Sequence, residues 1–375
     1  GVIMKITDVR INGMKNPVGY DYKNPRVSWK VRDTQAKDQT AVRIETASDA
    51  AFKDVFYVKE GKDLSSLGEI LEIELKPYTR YYVRVQVENE LEEKAVSDPV
   101  YFETAKMDQP WIGQWITTQE NDTFHPVFLK TFRPLGEVKN ALLYISGLGL
   151  YTACLNSEKI GEEVLTPYYS NYQDEVQYLT YDITGMLKEE NTLEVYLGNG
   201  WYKGRFGLAG MKENFGSRFQ MIGELRLTYA DGSVQTIPTD DTWTYKGSDV
   251  EGSDIYDGEI LNRLLWDEKE NPEKPVVLTN AEGKLTERYS LPVLEMEEMP
   301  VKEIIHTPAG ETVLDFGQNF AGYPVFHSAQ SKGTKIVLDF GEILQDGNFY
   351  NENYRSAKSQ FTYISDGREE WVKPH

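Results

Sequence analysis

One cysteine and four histidines are all that 375 residues offer for thiol or imidazole chemistry. A disulfide framework and a cysteine-rich zinc site are thereby excluded. The histidines, His125, His306, His327 and His375, are scattered and lack metal-ligand spacing. Positive charge is also short: 40 Lys and Arg stand against 60 Asp and Glu, a net charge of −20. Such a surface repels phosphate backbones, so nucleic acid is not an expected partner. No apolar run approaches the roughly 18–20 residues that cross a bilayer. No basic-then-apolar signal segment precedes Ile6, so no membrane partner is expected and the chain reads as cytoplasmic. Helical periodicity longer than a turn or two is missing throughout.

What is present is alternation. Leu142 and Tyr144, Leu148 and Leu150, then Leu193, Val195 and Leu197 recur with a period of two, the mark of half-buried strands. Turn signals separate the runs: Asn156-Ser157, Thr184-Gly185, Glu190-Asn191 and the Gly198-Asn199-Gly200 hinge. Cys154 lies in one of these strand patterns and is expected as a small buried core residue rather than a nucleophile. At roughly 100–200 residues per domain, two or three domains are expected.

The first 106 residues carry short strand patterns such as Val27–Val31, Val42–Thr46 and Tyr81–Val87. The run Leu75–Val85 resembles the tyrosine-corner segment of fibronectin type III domains. Tyr81 would then bury its ring at a strand corner and bond its hydroxyl to backbone. Spacer or docking surface is the expected role here. Pro110 marks a boundary, after which Trp111 and Trp115 open a new pattern.

Several stretches occur in order: Trp111-Ile112-Gly113, Phe128-x-Lys130-x-Phe132, Leu155–Tyr172 (LNSEKIGEEVLTPYYSNY), Leu197–Gly207 (LGNGWYKGRFG) and Ser253–Glu259 (SDIYDGE). Together they resemble the N-terminal region of bacterial α-L-rhamnosidases, glycoside hydrolases of family 78. Leu314–Tyr323 (LDFGQNFAGY), Phe340–Leu344 and Asn351–Ile364 extend the resemblance into a following β-sandwich. The expected architecture is all-β: a fibronectin type III-like sandwich over residues 1–106, a jelly-roll over 107–295, and a second, incomplete jelly-roll-like sandwich over 296–375. The resemblance implies an (α/α)6 barrel further along the parent chain, holding the general acid and base of an inverting hydrolysis of terminal α-L-rhamnosides. That barrel is the expected partner, no catalytic residue is expected in these 375, and the fragment is expected to be inactive alone.

A sugar site needs aromatic faces for the ring and amides or charged groups for the hydroxyls. Asn171 and Tyr172 in one loop, with Asn199, Trp201, Tyr202 and Arg205 in another, supply that inventory for a rhamnose-containing glycan or glycoside. The alternative is structural, with the glycines shaping a strand exit and Trp201 plugging the sandwich end. That leaves a non-catalytic carbohydrate-binding or interaction protein as the second function class. No organic cofactor is implied. Some members of the family bind rhamnose with calcium in such a domain, for which Asp174 and Asn199 are the oxygen-bearing candidates. Asp257 and Glu259 invite a catalytic reading, but on one extended strand they would share a face about 6.5–7 Å apart, with no opposing wall. Glu259 is expected to be structural or to line an interface.

Overall fold

A computed structural model describes residues 3–205, 207, 210–266 and 270–375; Gly1, Val2 and Phe206 of the LGNGWYKGRFG stretch lie outside them. The chain forms two compact units. One comprises Gly1–Trp111 with Leu179–Tyr181 and Thr286–Tyr289, and the other Ile112–Tyr178, Asp182–Leu285 and Ser290–His375.

In the first unit, a three-stranded sheet (Lys5–Ile11, Arg26–Arg32, Glu69–Ile70) joins a five-stranded sheet centred on Gln39–Ala47 and Arg80–Asn89 in one sandwich. Residues of Arg80–Asn89 are buried at every second position, Tyr81, Val83, Val85 and Val87 facing Trp29, Val42, Ile44 and Phe102 in one core. Tyr81 stacks on Phe102 at 5.1 Å between ring centroids, and its hydroxyl accepts the Lys76 backbone N–H at 2.9 Å. The tyrosine corner expected from the sequence is thus formed.

The second unit opens with a jelly-roll. Its six-stranded sheet places Asn191–Gly198 between Leu150–Leu155 and Pro126–Phe132. Alternation there buries Leu193, Val195 and Leu197. The facing sheet centres on the antiparallel pair Val138–Leu148 and Gln220–Tyr229. Two expectations change. Val138–Leu148 is buried on both faces from Ala141 onward, because it is a central strand rather than a half-exposed one. Cys154 sits opposite Tyr151, Ala153 and Leu155 on its strand, half-buried rather than in the core, and burial pushes its thiol up to about 11.

A smaller four-stranded sheet follows, in the order Val250–Asp254, Gly258–Asn262, Gln360–Ile364, Lys335–Asp339. Gly258–Asn262 runs parallel to Gln360–Ile364, so residues before and after position 295 share one sheet. Its core is small: Val250, Leu261, Phe361, Tyr363 and Val372. Ser253–Glu259 is not one extended strand, since Asp257 occupies the turn between the two strands and Gly258 has φ 78°. Among the described residues, the α-helix is confined to Gly200–Lys203. No helix of the described residues is long and apolar enough to cross a membrane.

Candidate functional site

The hinge that ends Asn191–Gly198 folds into the four-residue helix Gly200–Lys203 rather than an open loop. Gly200 has φ 55°, and a Cβ there would meet Leu150 Cγ at 2.6 Å; only glycine fits the turn. The helix carries Trp201 outward and Tyr202 inward. Tyr202 is 8% exposed and meets Tyr172 edge-on, with centroids 5.4 Å apart. Tyr172 is buried too, and desolvation raises its phenol well above the ordinary range. Trp201 is half-buried and meets Tyr169 edge-on at 6.1 Å. Tyr169, 49% exposed, also stands edge-on to Tyr172 and Phe215. The result is a five-ring cluster graded from core to water, with Tyr172 and Tyr202 buried, Trp201 and Phe215 half-buried and Tyr169 exposed. Tyr169 and Phe215 were not singled out by sequence. Tyr169 stands in the YYSNY run already noted, whereas Phe215 carries no local signal.

The polar residues are engaged inside the protein. Asn171 Nδ2 donates to Asp174 Oδ2 at 2.6 Å, and Asn199 Nδ2 to Asp254 Oδ2 at 3.3 Å. The Arg205 guanidinium pairs with Asp257 and donates to the hydroxyl and carbonyl oxygens of Ser356. That contact holds the Asp257 carboxyl below the usual carboxylate range. Lys203 lies 4.2 Å from the Phe219 ring centroid, and desolvation lowers its ammonium. The structure therefore brings Tyr172, Trp201 and Tyr202 together, with Asn199 at the helix start. Asn171 bonds within its own loop, and Arg205 is directed to the Asp257 turn and to Ser356.

The oxygen donors do not fit calcium. Asp174 and Asn199 bond to different partners, and no group of three or more His, Cys, Asp or Glu that could hold a metal occurs among the described residues. Glu259 belongs to a separate, buried charge cluster. It is 8% exposed, its carboxylate accepts the His375 backbone N–H at 3.2 and 3.1 Å, and Asp249, Arg263 and Glu370 complete the surroundings. Burial pushes its carboxyl up to about 7. Asp257 is paired with Arg205 and Glu259 is enclosed, so they do not form an acid–base couple.

Comparison with known proteins follows this order of domains. The Rha78A-like N-terminal immunoglobulin domain matches residues 6–108, the α-L-rhamnosidase N-terminal domain residues 136–296, and the bacterial α-L-rhamnosidase concanavalin-like domain residues 305–375. An α-L-rhamnosidase of Formosa agariphila is 29% identical over 394 residues, covering 96% of this chain and 42% of its own. One from an Alteromonas species is 27% identical over 415 residues, covering 98% and 44%. Among solved structures, the α-L-rhamnosidase of Aspergillus terreus is 26% identical with a TM-score of 0.87, covering 99% of this chain and 45% of its own. That of Dictyoglumus thermophilum is 27% identical with a TM-score of 0.84, again covering 99% and 45%. The chain spans less than half the length of these relatives. With the three domain models matched in order between residues 6 and 375, the chain corresponds to the N-terminal, β-sandwich region of bacterial α-L-rhamnosidases.

Proposed function

We propose that this chain is the non-catalytic, sugar-contacting part of an enzyme that removes terminal α-L-rhamnose from glycans or glycosides. Its domains span residues 1–106, 107–295 and 296–375, with the hairpin of residues 250–262 lent to the last sheet. Hydrolysis belongs to a helical barrel elsewhere in the parent chain, which is the partner of this region. The observation that carries the sugar reading is the pairing of exposed Tyr169 with half-buried Trp201, backed by buried Tyr172 and Tyr202. Rigid rings at a water boundary offer a face to the apolar side of a pyranose. A cytoplasmic location is proposed from the single cysteine, which asks for no oxidising compartment.

Titration of L-rhamnose against tryptophan fluorescence tests the site. Saturable quenching with a Kd on the order of millimolar is expected in the wild type and is lost in Trp201→Ala and weakened in Tyr169→Ala. Absence of saturation at about 50 mM sugar would end the reading. Incubation with an aryl α-L-rhamnoside is expected to give no turnover; activity that survives repurification and vanishes in Glu259→Gln would overturn the non-catalytic assignment.

A further inference from the structure

We propose that Arg205 couples the aromatic turn of residues 199–205 to the loop of residues 351–358, so that a sugar held by the first alters the order of the second. The ligand half of this proposal rests on the sugar reading above; the coupling itself rests on geometry. Arg205 follows the Gly200–Lys203 helix by two positions. Its backbone N–H donates to Asp254 Oδ2 at 3.0 Å, the same oxygen that accepts from Asn199 Nδ2. Both ends of the helix are therefore held by one carboxylate. The side chain then leaves the loop. Its guanidinium contacts both oxygens of Asp257, the Ser356 hydroxyl at 3.0 Å and the Ser356 carbonyl oxygen. The guanidinium thus grips the second loop through both the side chain and the backbone of Ser356. A planar fork bonded at four acceptors has one geometry, and a lysine ammonium does not reproduce it.

The grip falls beside a strained residue. Arg355 has φ 61° and ψ −118°, a conformation that side-chain-bearing residues rarely adopt and that persists only where surrounding contacts impose it. Within the loop, three backbone bonds (Tyr354 N to Asn351 O, Arg355 N to Glu352 O, Ala357 N to Tyr354 O) close tight turns on either side of it. Arg205, held by Asp257, supplies the restraint from outside. A ligand that stiffens Trp201 stiffens the turn on which Arg205 is mounted, and the guanidinium carries that loss of freedom to Ser356.

Amide hydrogen exchange on the 375-residue chain decides. Without sugar, Arg205→Ala is expected to speed exchange across residues 352–358 by about tenfold or more, and Arg205→Lys fails to restore it. Adding Arg355→Gly, which removes the strain, slows exchange again in the Arg205→Ala background. Unchanged exchange at 352–358 in Arg205→Ala overturns the coupling. L-Rhamnose is then expected to protect both loops in the wild type and only residues 199–204 in Arg205→Ala. Protection of the aromatic loop alone in the wild type overturns the coupling. No protection anywhere, with the Arg205→Ala effect intact, overturns the sugar reading and leaves the clamp standing.

Discussion

Glu259 is a carboxyl almost without water, and its protonation ties folding to pH. Desolvation raises it from 4.5 to about 7, against the opposing pull of His375 and Arg263. The folded chain keeps a proton that the unfolded chain releases. Stability from this group is therefore present below about 4.5, declines as pH rises and is gone above about 7. His375 acts in the same direction. Burial opposes its charge, but Asp249 and Glu259 outweigh burial and raise it, so its contribution is lost as pH rises through the raised value. Asp249 has the opposite sign. Desolvation raises it, yet His375 and Arg263 prevail and lower it, so its contribution is lost only as pH falls below 3.8. Between pH 5 and 8, Glu259→Gln is expected to flatten the stability profile and to raise stability at pH 8 by roughly 1–3 kcal/mol. Urea denaturation at both pH values checks this, and parallel profiles for the two proteins would refute it. Tyr81→Phe removes the hydroxyl that accepts the Lys76 backbone N–H and is expected to cost about 1 kcal/mol in the same assay. Tyr81 and Arg205 differ in how far sequence could reach. The Tyr81 corner closes within five residues, so its role was readable from local pattern. The partners of Arg205 lie 52 and 151 residues away, so its bonds to Asp257 and Ser356 could not be read from local spacing.

At the scale of elements, alternation found strands, but it carried no address for their neighbours. The hairpin Val250–Asp254 and Gly258–Asn262 is local, whereas its parallel partner Gln360–Ile364 lies about a hundred residues on. Nothing in the period of two distinguishes that pairing from one within the jelly-roll. Gly258 marks where the pairing is made: its φ is 78°, and a Cβ would stand 1.8 Å from the Gln360 carbonyl oxygen. Gly13 has nearly the same φ, 77°, but nothing lies within 4 Å of its Cβ position. The pair separates conformational strain from steric overlap. Gly13→Ala is expected to cost about 1 kcal/mol, and Gly258→Ala at least about 3 kcal/mol because strands must part. Thermal unfolding of both variants measures the difference; equal shifts would show that the parallel pair contributes little. The aromatic cluster has the same mixture. Trp201 and Tyr202 were legible beside their glycines, whereas Phe215 reaches Tyr172 from a loop without such a signal.

At the scale of the molecule, apolar surface and net charge oppose each other. Ile304 pairs with Leu314 across a hairpin that leaves both exposed, Ile304 at 60%. Trp371 is 71% exposed, and Val325, Val337, Ile343 and Leu344 are all open to water. Proteins that remain monomeric seldom leave so many large apolar side chains uncovered in one stretch. Strand periodicity alone does not say which of these side chains go without cover; the structure does. The charge of −20 keeps copies apart through repulsion that acts over a Debye length of about 30 Å at 0.01 M salt and about 8 Å at 0.15 M. Contact between apolar faces is not screened in this way. Salt should therefore promote self-association of the 375-residue chain rather than dissolve it. Sedimentation velocity at 0.01 M and 0.5 M NaCl is expected to show a shift toward dimers and larger species at the higher salt. Ile304→Lys combined with Trp371→Lys should suppress that shift while changing unfolding stability by no more than about 0.5 kcal/mol, because neither side chain is buried. Association that weakens with salt, or that is indifferent to the two substitutions, would instead place the contact on charged surface.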